Sequence, residues 1–199
     1  MNQLSSVLTE IDNFNQKDPK KELFENKEQP NELVYAIRVT NWVKKLVANP
    51  SEELLIAARG VHISRWEFPR ENYPAGLQGY YQWKTFLHKF HAEKVSEIMK
   101  KFGYNEEKIQ KVADIIMRKK LKQNPDTQAI EDAVSLVFLE VQLLPLMAKS
   151  TEEKVINAIV KTWAKMSQEG QKKALQLSLP KEATEIIKKA FDSNQKGSS

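Results

Sequence analysis

The stretch AARGVHISRWEFPR, residues 57–70, sets Arg59, Arg65 and Arg70 around His62, Trp66 and Glu67. Guanidinium groups take phosphate or carboxylate bidentately, and an indole face holds a base or a cation. His62 is one of only three histidines, and an imidazole there is a candidate metal ligand or acid–base group. The same residues also suit plain surface chemistry, with Trp66 packed on the core and Arg65 and Glu67 in local ion pairs. The other two histidines, His88 and His91, lie three apart on a long helical run. His91 falls within the apolar stripe of Leu87, Val95 and Ile98, and His88 at its edge, so the pair reads either as ligands or as hydrogen-bonded core histidines. Asp132 and Glu140 fall off the polar side that Glu131, Ser135 and Gln142 form on an otherwise apolar helix. A carboxylate so placed needs a cation, donors or a metal, because burying an unpaired charge is costly. Lys84, Arg118, Lys119 and Lys120 add positive charge that suits phosphate, although cations at a helix C-terminus need no ligand.

Helices must position these groups. Six glycines and eight prolines leave little room for the turns of an all-β fold. Leu4, Val7, Leu8 and Ile11 mark a short amphipathic helix, and the polar stretch up to Pro30 reads as a surface connection. Asn31 is placed to cap a helix over 32–48 whose face carries Glu32, Tyr35, Val39, Trp42 and Leu46. Ser51 caps the run that ends at Gly60, and the Pro- and Gly-bearing segment 67–79 is a loop. A long helix follows to Gly103, a C′ glycine, and Asn105 starts the next. Pro125-Asp126 opens the apolar helix, which Pro145 stops or kinks. Ser150/Thr151 begins another helix, and two shorter ones (168–177 and 181–191) complete an all-α chain. Three helices thus each offer a polar group from an apolar side, with His62 at the end of a fourth. Interhelical metal and ligand sites are built this way.

The order of these elements resembles the helical core of the HD superfamily of metal-dependent phosphohydrolases. The residues that carry the resemblance are ELVYAIRVTNWVKKL, ELLIAARGVHISRW, HAEKVSEIMKKFGYNEEKIQKVADIIMRKK and AIEDAVSLVFLE. AARGVHISRWEFPR with IEDAVSLVFLE is also similar to a family of small uncharacterised proteins with a divergent fold of that kind. The resemblance implies an HD-like bundle over 31–149, with an N-terminal helix and polar connection in 1–30 and added helices in 150–192. Residues 193–199 read as a disordered tail or an expression scar. It also implies a divalent-metal site at His62, His91 and Asp132, with Asp132 and His62 catalytic; Mn, Fe, Ni, Co, Zn and Mg are the candidate ions. The pattern departs from the superfamily in three places, one of them a later histidine position that falls in the run Arg118-Lys119-Lys120. Tyr35, or Glu32 one turn earlier, replaces the first histidine, and His62-Ile63 lacks the doublet's Asp, which bears on hydrolysis itself.

Composition narrows the classes without choosing among them. The chain has 199 residues, a net charge of +5 and no cysteine, so disulfides and thiol catalysis are excluded. No secretory leader or membrane-length apolar run is read from it, and a cytoplasmic setting is the expectation. Walker, GxGxxG, GxSxG and HExxH patterns are absent. The leading expectation is a divergent HD-like phosphohydrolase acting on a phosphorylated small molecule or nucleotide. The alternative is a non-catalytic protein that binds an anionic metabolite, nucleotide or RNA, and a helical scaffold is the third. Arg59, Arg65, Trp66, Arg70, Lys84, Arg118 and Lys119 are the expected phosphate-binding residues. Glu32, Tyr35, Glu67, His88 and Glu131 are further site candidates. No membrane partner is expected, and the sequence leaves the oligomeric state open.

Overall fold

Short polar side chains set most helix starts in the computed structural model, which describes residues 2–196, the last four by backbone alone. Asn2 accepts from the Ser5 amide ahead of α1 (Gln3–Asn15). Ser51 does the same for Leu54 before α3 (Glu52–Gly60), and Asn105 for Lys108 before α5 (Glu106–Ile116). Asn124 accepts from the amides of Asp126 and Thr127 where α6 (Pro125–Val137) begins. Each cap satisfies amides that have no carbonyl one turn back. Gly103, at φ +80°, ends α4 (Gly76–Lys101) in the left-handed conformation that suits glycine. The chain is predominantly helical, as its periodicity implies.

Two elements ahead of α3 differ from the sequence reading. The polar stretch after α1 forms a hairpin of β1 (Lys21–Phe24) and β2 (Lys27–Pro30), antiparallel with Phe24 opposite Lys27. Glu25 and Asn26 turn it with φ of 50° and 63°, the left-handed pair that matches strand twist. The second difference is the cap of α2 (Asn31–Leu46). Asn31 already lies in the helix and makes no cap bond, and the buried Asp18 carboxylate accepts from the Glu32 amide at 3.0 Å instead.

The chain divides into two units, Met1–Ile130 and Glu131–Ser199, with the division inside α6. In the first, α3 packs against α1, α2, α4 and α5. Val7, Ile11, Val34, Val43, Leu54, Ile56, Val95, Met99 and Ile115 are fully buried there. Gly60 lets α3 approach α4 closely: a Cβ at this position would collide with the Val95 side chain. That approach matters one turn further on, where His62 meets His91.

In the second unit a π-helical segment (Phe138–Gln142) leads into α7 (Leu143–Met147). Pro145 sits inside α7 and does not end the helical path. The wider π turn just before it accommodates the amide hydrogen bond that proline cannot make. Where the sequence predicts a stop or a kink at Pro145, the structure has a change of helical winding just before it. α8 (Glu152–Lys165), α9 (Gln168–Leu175) and α10 (Lys181–Lys196) follow, with α10 packed on α8 through Trp163 and Phe191 at 4.5 Å. α10 thus runs four residues into the stretch expected as a tail; 197–199 lie outside the described residues.

Candidate functional site

In the first unit, the turn after α3 places His62 against α2 and α4. Ser64, buried and left-handed at φ 53°, reverses the chain, and its amide donates to the buried Asn15 side chain of α1 at 3.1 Å. Ile63 just before it presents its carbonyl to His91 Nδ1 at 2.8 Å. A carbonyl only accepts, so Nδ1 carries the proton and the His91 Nε2 lone pair is bare. That nitrogen is buried with no hydrogen-bond partner. The rings of His62 and His91 lie 5.8 Å apart, and Tyr35 stacks on His62 at 4.2 Å with 6° between planes.

Glu32 supplies the charge of this centre. Its carboxylate is buried, 3.6 Å from His62 Nδ1 and 3.3 Å from Arg65 Nη1. The Arg65 guanidinium also lies over the Trp83 ring at 4.9 Å, and Trp83 Nε1 donates to the Phe68 carbonyl. Burial raises the Glu32 pKa, and Arg65 opposes that rise. Burial, then the charges of Arg65, Arg118 and Lys84, hold His62 well below the ordinary imidazole range. Burial and the His62 neighbour depress His91 likewise, against its bond to Ile63. At neutral pH the centre therefore holds two uncharged imidazoles beside the buried Glu32–Arg65 pair, under a cationic rim.

The structure brings together Glu32, Tyr35, His62, Arg65 and His91, and through their charges Lys84, Arg118 and His88 act on the two imidazoles. The other candidates are engaged elsewhere. Arg59 faces Asp12 of α1 at 3.3 Å. Arg70 donates from its terminal nitrogens to the carbonyls of Tyr73, Pro74 and Gly76, tying the loop before α4. Glu67 pairs with Lys94 at 3.2 Å, and Lys119 with Asp114 at 2.8 Å. Trp66 keeps a buried Nε1 with no hydrogen-bond partner. Glu131 and Asp132 belong to the second unit, where Lys165 lies 3.6 Å from Glu131. Asp132 is 3% exposed, and its two oxygens accept from the Ser167 amide at 2.8 Å and the Ser167 hydroxyl at 2.5 Å. Ser167 in turn caps α9 through the Gly170 amide at 3.0 Å. Among the described residues no group of three or more His, Cys, Asp or Glu side chains is arranged to hold a metal ion.

Two contributors went unread in the sequence. The run GYYQW, which holds Trp83, reads in sequence as core or partner-facing aromatics, and only the tertiary contact puts Arg65 on the Trp83 face. The Ile63 carbonyl, being backbone, carries no side-chain signal at all. Among the described residues no helix is long and apolar enough to cross a membrane.

These features define a helical unit with a buried glutamate–histidine–arginine centre. Residues 5–187 match the family described as a domain of unknown function, DUF4202, and the chain belongs to that family. No curated protein and no solved structure matches it.

Proposed function

We propose that Met1–Ile130 is an HD-like unit that binds a phosphorylated small molecule or nucleotide with its phosphate at Arg65, beside Glu32, His62 and His91, without a complete metal centre of its own. Arg65 carries this reading. Its side chain is 36% exposed, held at one nitrogen by Glu32 and along its face by Trp83. A guanidinium anchored in this way keeps further N–H donors for an anion, and its position is fixed before the ligand arrives. Arg118 and Lys84 add positive potential at the adjacent His62.

The metal that an HD-like core implies fits this chain only in part. Two imidazoles are present, but the Asp132 carboxylate already accepts from Ser167 on both oxygens. No step is therefore derived through an ion. The second reading, a divergent metal-dependent phosphohydrolase, is favoured by one observation: the bare, buried Nε2 of His91 suits a cation or a donor, never an anion. In that reading His62 and His91 would hold the divalent ion.

Two measurements on one preparation separate the readings. Metal content is determined by inductively coupled plasma mass spectrometry on protein purified without chelator or histidine tag. Pyrophosphate binding is measured by calorimetry on wild type and Arg65→Ala. Substoichiometric metal, with binding weakened about tenfold or more in Arg65→Ala, is expected. Stoichiometric metal that is lost in His91→Gln would replace the first reading with the hydrolase. Equal affinity in wild type and Arg65→Ala would remove the phosphate site.

A further inference from the structure

Beyond Trp83, α4 carries an apolar surface that its own unit does not cover. Leu77 is 65% exposed, Tyr81 56%, Tyr80 40% and Phe86 38%. Tyr80 meets Tyr81 at 5.6 Å and Trp83 at 6.2 Å, with planes inclined by 65° and 52°. Phe86 stacks on Phe90 at 6.1 Å with 10° between planes, whereas Tyr80 and Tyr81 meet their neighbours only at an incline, so the tyrosines are the faces left to a planar ligand. The surface is continuous with the centre: His62 touches Glu32, Glu32 holds Arg65, Arg65 lies on Trp83, and Trp83 meets Tyr80.

We infer that this aromatic start of α4 is a stacking platform for the bases of a single-stranded nucleic acid, with a backbone phosphate of that strand at Arg65. The inference rests on the phosphate-binding reading of the centre and names its ligand class. Two observations select a single strand. First, open aromatic faces beside a cationic side chain are the two parts of a sequence-tolerant single-strand site. Second, the exposed rings extend past Trp83 through Tyr80 and Tyr81, more aromatic surface than one base covers, so a strand uses what a mononucleotide leaves bare. Charge complementarity also disfavours a second copy of this chain as the occupant, since the chain carries a net charge of +5.

The test uses the full chain and fluorescence anisotropy with a labelled oligouridylate at low salt. The matching oligothymidylate and pyrophosphate are run alongside. Tyr80→Ala/Tyr81→Ala should weaken oligouridylate about tenfold or more and leave pyrophosphate affinity unchanged. Arg65→Ala should weaken both. Both tyrosines are exposed, so the double variant should fold, which circular dichroism checks. Pyrophosphate binding without oligouridylate binding would overturn the inference and leave the centre's reading intact. Loss of neither ligand in Arg65→Ala would overturn the two together. Oligothymidylate should be weakened alike in the double variant, because base stacking is indifferent to the sugar, and unchanged oligothymidylate affinity there would refute the platform. A dimer that dissociates in the double variant, seen by light scattering, would give the surface to a second copy instead.

Discussion

Asp132, which the HD resemblance offers as a metal ligand and the structure shows bonded to Ser167, separates two roles, because a metal ligand and a helix-cap partner respond differently to the same substitutions. Its carboxylate is 3% exposed and accepts two hydrogen bonds from Ser167, at 2.8 Å from the amide and 2.5 Å from the hydroxyl. Hydrogen bonds to a charged group contribute about 1.5–3 kcal/mol each. Asp132→Ala should therefore cost the protein about 3–5 kcal/mol. Ser167→Ala removes the hydroxyl bond together with the α9 cap, which is worth about 1 kcal/mol, and should cost about 3 kcal/mol. The double variant loses the shared hydroxyl–carboxylate bond only once, so the two costs should not add. The coupling energy should be about 2 kcal/mol. Urea unfolding of the four proteins, followed by circular dichroism, measures it. Metal content should be unchanged in Asp132→Asn. Additivity within about 0.5 kcal/mol, or metal lost from a fully stable Asp132→Asn, would refute the cap reading.

Acid should destabilise the first unit. His62 and His91 are held well below their ordinary pKa, so below about 6.5 the unfolded chain takes up protons that the folded centre refuses. Their contribution is complete above that value and is lost as pH falls through and below it. Glu32, raised by burial, acts with the opposite sign as pH falls toward 4.5, so the loss should be steeper in Glu32→Gln. Urea midpoints across this range that do not fall with pH would contradict the buried neutral histidines. Arg70→Ala should increase amide exchange in the loop it ties, at Tyr73 to Gly76, while pyrophosphate affinity stays within about twofold. Weakened pyrophosphate with an unaltered loop would return Arg70 to the site.

Helical periodicity, caps at Ser51 and Asn105 and the stop at Gly103 are local properties, written into residues within a turn of one another, and the sequence shows them directly. So does the presence of His62 and His91 on faces turned inward. The β-hairpin is invisible for a related reason: KELFENKEQP has no apolar alternation, and its turn lacks the glycine that marks such turns. Asp18 is a cap thirteen residues ahead of the helix it serves, beyond the range of any local pattern. Asp132 shows the limit most clearly. Its type, and its place off the polar side of α6, announce a carboxylate in need of partners, and that need is real. The partner is decided by what folding carries to it, and the structure delivers Ser167, thirty-five positions later, in place of an imidazole. What the sequence alone determined is which groups cannot be left unsatisfied once buried. Which of them meet, as Glu32 meets Arg65 and His62, only the tertiary structure decided, because hydrogen bonds and ion pairs act over a few ångströms and chain spacing says nothing about distance in space.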